Sequence, residues 1–420
     1  MSWLQTTFAA LRIPHFRILW IGTALSHLAF FMSTVVQSIV AFDLMGSNTA
    51  VGTVVFAQGL SMFVLGPLGG ALADRWPKRL VVGVSQTVPS AVFMGLAIAM
   101  ATGTIHIEFV AAGALLIGVT FAFLGPARQA LVVDLVPEAT RGNAVALTQV
   151  ASTASQVMGP GLAGVLLYWS LSGAAGAYGV MSGLYVLSCA SVLLLPRSRM
   201  RAGAGDTHVL ADVAEGLRYL WEHPSLRRLV LLYVGVIMIG FPYVTVMPGL
   251  LEHELGRAAE AYAFLSLVSA SGALLSSLAV ARYADHSRAT RLFGSMGLLF
   301  GLALAGLALA PSYAAAAAAV FAIGCGFGGF MTLVGAVIVR ACEPGFFGRV
   351  MSLTMLAFAG FGLMGLPIGL LADALGERSA LAMMGGAVCA LVGLFAFAPS
   401  RASAANATAI DPVAAGPVDS

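Results

Sequence analysis

The chain has 420 residues, 59% of them hydrophobic and only 9% charged, where an ordinary soluble domain carries roughly 25% charged residues. A water-soluble fold cannot cover that much apolar surface, and a formal net charge of +3 is too small to point to a nucleic-acid partner. The four cysteines, Cys189, Cys325, Cys342 and Cys389, form no CxxC pair and lie in or beside apolar runs; they read as small hydrophobic filler, with no disulfide framework, metal site or cofactor expected.

Arg12 and Arg17 precede the first apolar run, at 17–42. The run is too long for a signal peptide and others follow it, so it reads as an uncleaved first membrane helix. A spanning helix needs about 20 predominantly apolar residues. Further runs of that kind lie at 51–73, 80–101, 109–133, 144–168 and 175–195. After a polar interval come 229–250, 261–284, 292–310, 313–339, 350–373 and 379–398. The expected fold is therefore an all-α membrane protein with twelve transmembrane helices in two six-helix halves, 1–196 and 229–400. The linker is 197–228, and a disordered tail rich in Ala, Pro and Asp occupies 401–420. Within the linker, Leu217, Leu220 and Trp221 share one helical face, which predicts a short amphipathic helix on the membrane surface.

With the N-terminus inside, eighteen Lys and Arg residues fall on the inner side and only Arg257 and Arg378 on the outer side, while Arg128 lies within the fourth span. This bias places both termini and the linker in the cytoplasm.

The two halves resemble each other. A shift of 206 brings Ile117, Gly118, Phe121, Leu147, Thr148 and Gly159 onto Ile323, Gly324, Phe327, Leu353, Thr354 and Gly365. A shift of 211 brings Ala73-Asp74 onto Ala284-Asp285, each pair ending the second span of its half. Such a parallel repeat is the architecture of carriers whose halves rock about a central site.

Polar residues inside apolar spans are the candidates for chemistry. His27, near the middle of span one, is a proton relay, a hydrogen-bond partner of the substrate, or a neutral histidine bonded to a neighbouring helix. Gln37, Gln58, Gln149 and Gln156, with Tyr233, Tyr243 and Met331, are candidates for a cavity lining suited to a bulky, partly apolar solute. Arg128 is a functional-site candidate by its depth; the alternatives are an arginine snorkelling to the inner interface or one paired with Asp134. Asp43 and Asp373, near outer helix ends, are either protonation sites or interfacial groups, and no carboxylate sits at a helix midpoint.

The loop after span two, "G-x-L-A-D-R-x-P-K-R" from Gly70 to Arg79, resembles the signature loop of the major facilitator superfamily, which has glycine where Pro77 stands. Glycines here let helices approach closely, and Asp74 has Arg75, Lys78 and Arg79 as charged neighbours or faces a helix N-terminus from the other half. The resemblance implies that this partner is span eleven, near Gly348. Asp134 is the natural second carboxylate for Arg75 or Arg79. The cluster is then either a latch that forms when the cytoplasmic side closes or a simple positive anchor. In span five, Gly159, Pro160 and Gly164 resemble the "GP-x-x-G" element of drug/proton antiporters; the alternative is ordinary close packing.

"FRILWIG", "PARQALVVDLVP", "GNAVAL", "EGLRYLWEHP" and "GRVMSL" together resemble the branch that includes the enterobactin exporter and macrolide efflux proteins. That branch often has Gly-Asp in the middle of span one, where this chain reads "SHLAFF". The resemblance implies a monomeric exporter in the bacterial inner membrane, moving a siderophore-like or drug-like molecule by alternating access with proton antiport. An importer of a small solute is the competing expectation. An enzyme is disfavoured by the lack of HExxH, GxSxG or paired cavity carboxylates, and a sensor by the lack of an extra soluble domain.

Overall fold

In the computed structural model, the described residues are 9–169, 173–196, 209–258, 261–283, 288–343, 346, 350, 353–354 and 360–396, without the side chains of 67–75, 139, 168–169, 209–213 and 396. Among them, eleven helices are long and apolar enough to cross a membrane, and the apolar stretch Phe361–Leu375 adds a shorter one. This is a multi-pass, all-helical membrane protein.

The first half consists of α1 (Pro14–Met45), α2 (Asn48–Arg75), α3 (Lys78–Ala101), α4 (Ile107–Leu135), α5 (Arg141–Trp169) and α6 (Gly173–Leu193). The linker holds α7 (Val209–Glu222). The second half runs through α8 (Pro224–Gly240), α9 (Tyr243–Gly249), α10 (Ala261–Ala281), α11 (Ala289–Ala308), α12 (Tyr313–Ala341), α13 (Gly365–Leu375) and α14 (Glu377–Ala396). Most helices match the apolar runs, because in lipid the backbone must satisfy its own hydrogen bonds and a helix is the cheapest way to do so. Pro14 opens α1, where its missing N–H costs nothing. Gly46 closes α1 in the left-handed region at φ 59°, donating its N–H to the Phe42 carbonyl.

One predicted span is interrupted. The run at 229–250 is three pieces: α8, α9 and a π-helical turn at Leu250–Glu254. The break falls at Phe241-Pro242, where proline cannot donate to the preceding turn.

The helices group as the repeat predicts. In the first half α2 packs densely on α4, α3 on α6, and α1 on α5 and α6; in the second, α12 packs on α10 and α11, and α11 on α14. Glycine explains the closeness of equivalent pairs. A Cβ at Gly118 of α4 would collide with the Gln58 carbonyl of α2, and a Cβ at Gly324 of α12 would collide with the Ser269 carbonyl of α10. Gly118 and Gly324 are 206 apart, and Gln58 and Ser269 are 211 apart, so the two sequence shifts converge on one structural contact. Backbone-on-backbone packing of this kind replaces the hydrophobic drive that lipid removes. Aromatic stacking adds to the second half, where Phe293 lies on Phe330 at 4.2 Å and 13°.

The linker helix docks differently from the expectation. Gly216, Tyr219 and Leu220 are buried, while Leu217 and Trp221 are 48% and 66% exposed. The anchor is Tyr219, whose ring stacks on Phe346 at 4.0 Å and whose hydroxyl accepts from the Glu343 N–H at 3.1 Å. The apolar stripe is thus split, with Leu220 turned to the protein and Trp221 outward beneath the Arg227 guanidinium.

Candidate functional site

Charge divides the bundle into two faces. The α2–α3 and α4–α5 connections lie on the arginine-rich face, and the α1–α2 and α3–α4 turns lie on the opposite one. A cavity of about 300 Å³ lies between α1, α4 and α5, in their arginine-rich halves. His27, Arg128, Gln129, Thr148, Gln149 and Ser152 supply its polar wall, and Phe121, Leu124, Val132 and Val145 its apolar wall.

Arg128 decides between the alternatives read from the sequence. It is 5% exposed, so it does not snorkel. Nor does it pair with Asp134: its Nη2 donates to Ser26 Oγ at 2.8 Å, and its Nη1 lies 3.5 Å from His27 Nε2. Its Nε and the Nδ1 of His27 have no hydrogen-bond partner. The histidine of "SHLAFF" therefore faces this guanidinium across two helices. Nearby, Ser155 donates to the Ala24 carbonyl and Trp20 Nε1 to the Leu147 carbonyl, tying α1 to α5.

Of the other predicted lining residues, only Gln149 joins the cavity. Gln37 is buried in α1 with Nε2 unpartnered, while Gln58 and Gln156 are half-buried in α2 and α5. Tyr233 stacks on Phe330, the Tyr243 hydroxyl lies 3.4 Å from Ser269 Oγ, and Met331 packs against the apolar core. The structure thus puts these three into the packing of the second half instead of a shared lining.

In the signature loop, the carboxylate of Asp134 meets Lys78 at 2.7 Å, and the expected partner Arg79 is not the residue it meets. Arg79 instead donates through Nη2 to the Leu193 carbonyl, capping the end of α6. The side chains of Asp74 and Arg75 and the surroundings of Gly70 lie outside what the structure describes, as do Gly348 and the predicted tail at 401–420. In "GP-x-x-G", Gly159 abuts Phe31 of α1, Gly164 abuts Ala263 of α10, and Pro160 lies within α5. Close packing is what these residues do here, and through Gly164 that packing joins the two halves.

The opposite face carries a constellation the sequence did not announce. Asp373, at the end of α13, accepts from the backbone N–H groups of Asn48 at 2.9 Å and Thr49 at 2.8 Å, and from Asn48 Nδ2 at 3.0 Å. The carboxylate of one half thereby caps the N-terminus of α2 in the other, where the helix dipole favours an anion. Asn48 Nδ2 also donates to Glu377, which meets His253 at 2.7 Å. Beneath this cluster α2 and α13 touch backbone to backbone, at Gly52 against Gly365, and Gly59 lies against Gly362. Asp43 is exposed at the end of α1. The signals that could have found the seal are an Asn at a helix start and carboxylates four residues apart at Asp373 and Glu377.

A family model described as "Major Facilitator Superfamily" matches residues 19–362. The chain belongs to the major facilitator superfamily. It is accordingly a transporter, not an enzyme, and its relatives within the superfamily include efflux proteins. An MFS-type transporter of Bacillus subtilis, YfiS, is 26% identical over 342 residues, covering 77% of this chain and 78% of the relative. Macrolide efflux protein A of Streptococcus pyogenes is 23% identical over 371 residues, covering 86% of this chain and 88% of its own length. Among solved structures, the nucleoside transporter NupG superposes with a TM-score of 0.73 at 14% identity, over 92% of this chain and 100% of that one. That likeness shows the major facilitator fold.

Proposed function

We propose that the chain is a secondary active exporter of a small amphipathic molecule, siderophore-like or drug-like, working by alternating access with proton antiport. One observation carries this reading: a cavity with one polar and one apolar wall lies in the arginine-rich half of the bundle, while Asp373, Glu377 and the α2–α13 glycines join the two halves at the opposite face. By the positive-inside rule the arginine-rich face is cytoplasmic, as are both termini. The conformation is then inward-facing, with cargo entering from the cytoplasm. Export is supported by the efflux relatives and by the resemblance of Gly159, Pro160 and Gly164 to the antiporter element.

The halves at 1–196 and 229–400 move as rigid units about the cavity, joined by the linker at 197–228. On the cytoplasmic side Gly70, Asp74, Arg75, Lys78, Arg79 and Asp134 form the reciprocal latch. Its Asp74 occupies the second-span end of the first half, as Asp373 occupies the span-eleven end of the second. The protein works as a monomer in the bacterial inner membrane.

The test is flux in proteoliposomes with an imposed pH gradient, using a catechol siderophore and a macrolide as cargo. Movement away from the arginine-rich face that stops when the gradient is collapsed is expected. Gradient-independent flux refutes antiport, and net movement toward that face makes the protein an importer.

A further inference from the structure

The guanidinium of Arg128 is nine-tenths or more buried, lines the cavity, and among the described residues pairs with no carboxylate. Ion pairs among the described residues include Lys78–Asp134, Arg218–Glu222, His253–Glu377 and Arg378–Glu254, and Arg128 is in none of these. Asp134, six residues further along α4, is taken by Lys78. An arginine presents five N–H donors. Here they meet one hydroxyl at 2.8 Å and one histidine nitrogen at 3.5 Å, and Nε meets nothing. An isolated charge away from water is among the costliest groups a fold can hold, and proteins keep one where something comes to neutralise it.

We propose that this cavity is an anion-binding subsite with Arg128 as its ligand, and that the cargo is an amphipathic acid bearing a carboxylate or similar mono-anion. The planar fork of arginine matches a carboxylate through two parallel N–H donors. Thr148, Gln149 and Ser152 line the same wall and supply neutral hydrogen-bonding groups around the headgroup, while Phe121, Leu124 and Val145 receive the apolar body. A cargo whose polar end is an amine meets an unbalanced positive charge there and is disfavoured. The proposal rests on reading the chain as a carrier of small molecules and narrows its substrate class; it does not depend on direction or coupling.

The experiment uses the purified full chain in phosphatidylcholine nanodiscs without a gradient, titrated with dansyl-tagged undecanoic acid and with the methyl ester of the same probe. The acid is expected to bind about tenfold tighter or more, the scale of a charge-assisted pair. Arg128→Gln is expected to bring that ratio to about one, chiefly by loss of acid affinity, because the charge that distinguishes the two probes is gone. Gln149→Glu, which sets a carboxylate on the cavity wall and leaves the arginine in place, is expected to lower the ratio as well, and it serves if Arg128→Gln does not fold. Equal binding of acid and ester by the wild type overturns the proposal, and so does an acid preference that survives in Arg128→Gln. Because binding is read at equilibrium, a preference for the acid with failed export in proteoliposomes overturns the export reading and leaves the subsite standing.

Discussion

Replacing Asp373 by asparagine tests the seal on the opposite face. The carboxylate accepts three hydrogen bonds from the start of α2, at 2.9, 3.0 and 2.8 Å. Asparagine keeps one carbonyl oxygen but turns an amide N–H₂ toward one of the two backbone donors, so at least one bond is lost and the charge goes with it. A hydrogen bond to a charged group contributes roughly 1.5–3 kcal/mol and a carboxylate at a helix N-terminus about 0.3–1 kcal/mol. Asp373 is itself exposed, so water screens the interaction and the lower end applies, about 1–2 kcal/mol. The ratio of closed to open opposite face should fall roughly 5- to 30-fold. Thr102→Cys and Leu309→Cys place spin labels on exposed turns of the two halves at that face, in a background with Cys189, Cys325, Cys342 and Cys389 replaced by serine. Double electron–electron resonance should show a longer-distance population growing in Asp373→Asn. A distribution identical to the parent, or one shifted to shorter distance, refutes the reasoning.

Gly59→Ala forces a methyl group onto the backbone of Gly362, and overpacking typically costs about 1–3 kcal/mol, so the detergent-solubilised protein should melt earlier, or the same labels should report opening. Lys78→Met removes a partly exposed ion pair with Asp134 and should change thermal stability by less than about 1 kcal/mol, a difference that shrinks further in high salt. Tyr219→Phe keeps the stack on Phe346 but strands the Glu343 N–H; a loss of about 1 kcal/mol is expected, with faster hydrogen exchange at the end of α12. Asp74→Asn should lower transport while leaving membrane insertion intact, and wild-type turnover in that variant reduces the signature loop to an anchor.

Hydropathy alone places most spans, because lipid leaves the backbone few alternatives to a helix. The repeat was legible too: two offsets measured on letters, 206 and 211, meet at the matched contacts of Gly118 on Gln58 and Gly324 on Ser269. Span seven was legible as apolar but not as broken, since hydropathy averages over Pro242 while the hydrogen-bond ladder does not. For Arg128 the depth was readable and the partner was not. Asp134 lies nearest along α4, yet the bond goes to Ser26, 102 residues away in sequence. The seal was the least legible feature. Asn48 and Asp373 are separated by 325 positions, and although Asp373 reads as a protonation site or an interfacial group, nothing in the letters joins it to Asn48. Tyr233, Tyr243 and Met331 carry side-chain chemistry that suits a cavity, and in this structure they sit in the packing of the second half.

Two of the three groups that hold Asp373 are main-chain N–H groups, which belong to whatever residue occupies positions 48 and 49. Those two donors are therefore indifferent to nearly all mutation, because every amino acid but proline brings the same N–H. What the start of α2 supplies as a particular side chain is Asn48, whose Nδ2 is the third donor and also holds Glu377. A transporter closed in this way can change the wall around Arg128 without touching the seal. The closure at the opposite face would keep its shape while two of the three bonds to Asp373 are written in the main chain and one in the side chain of Asn48.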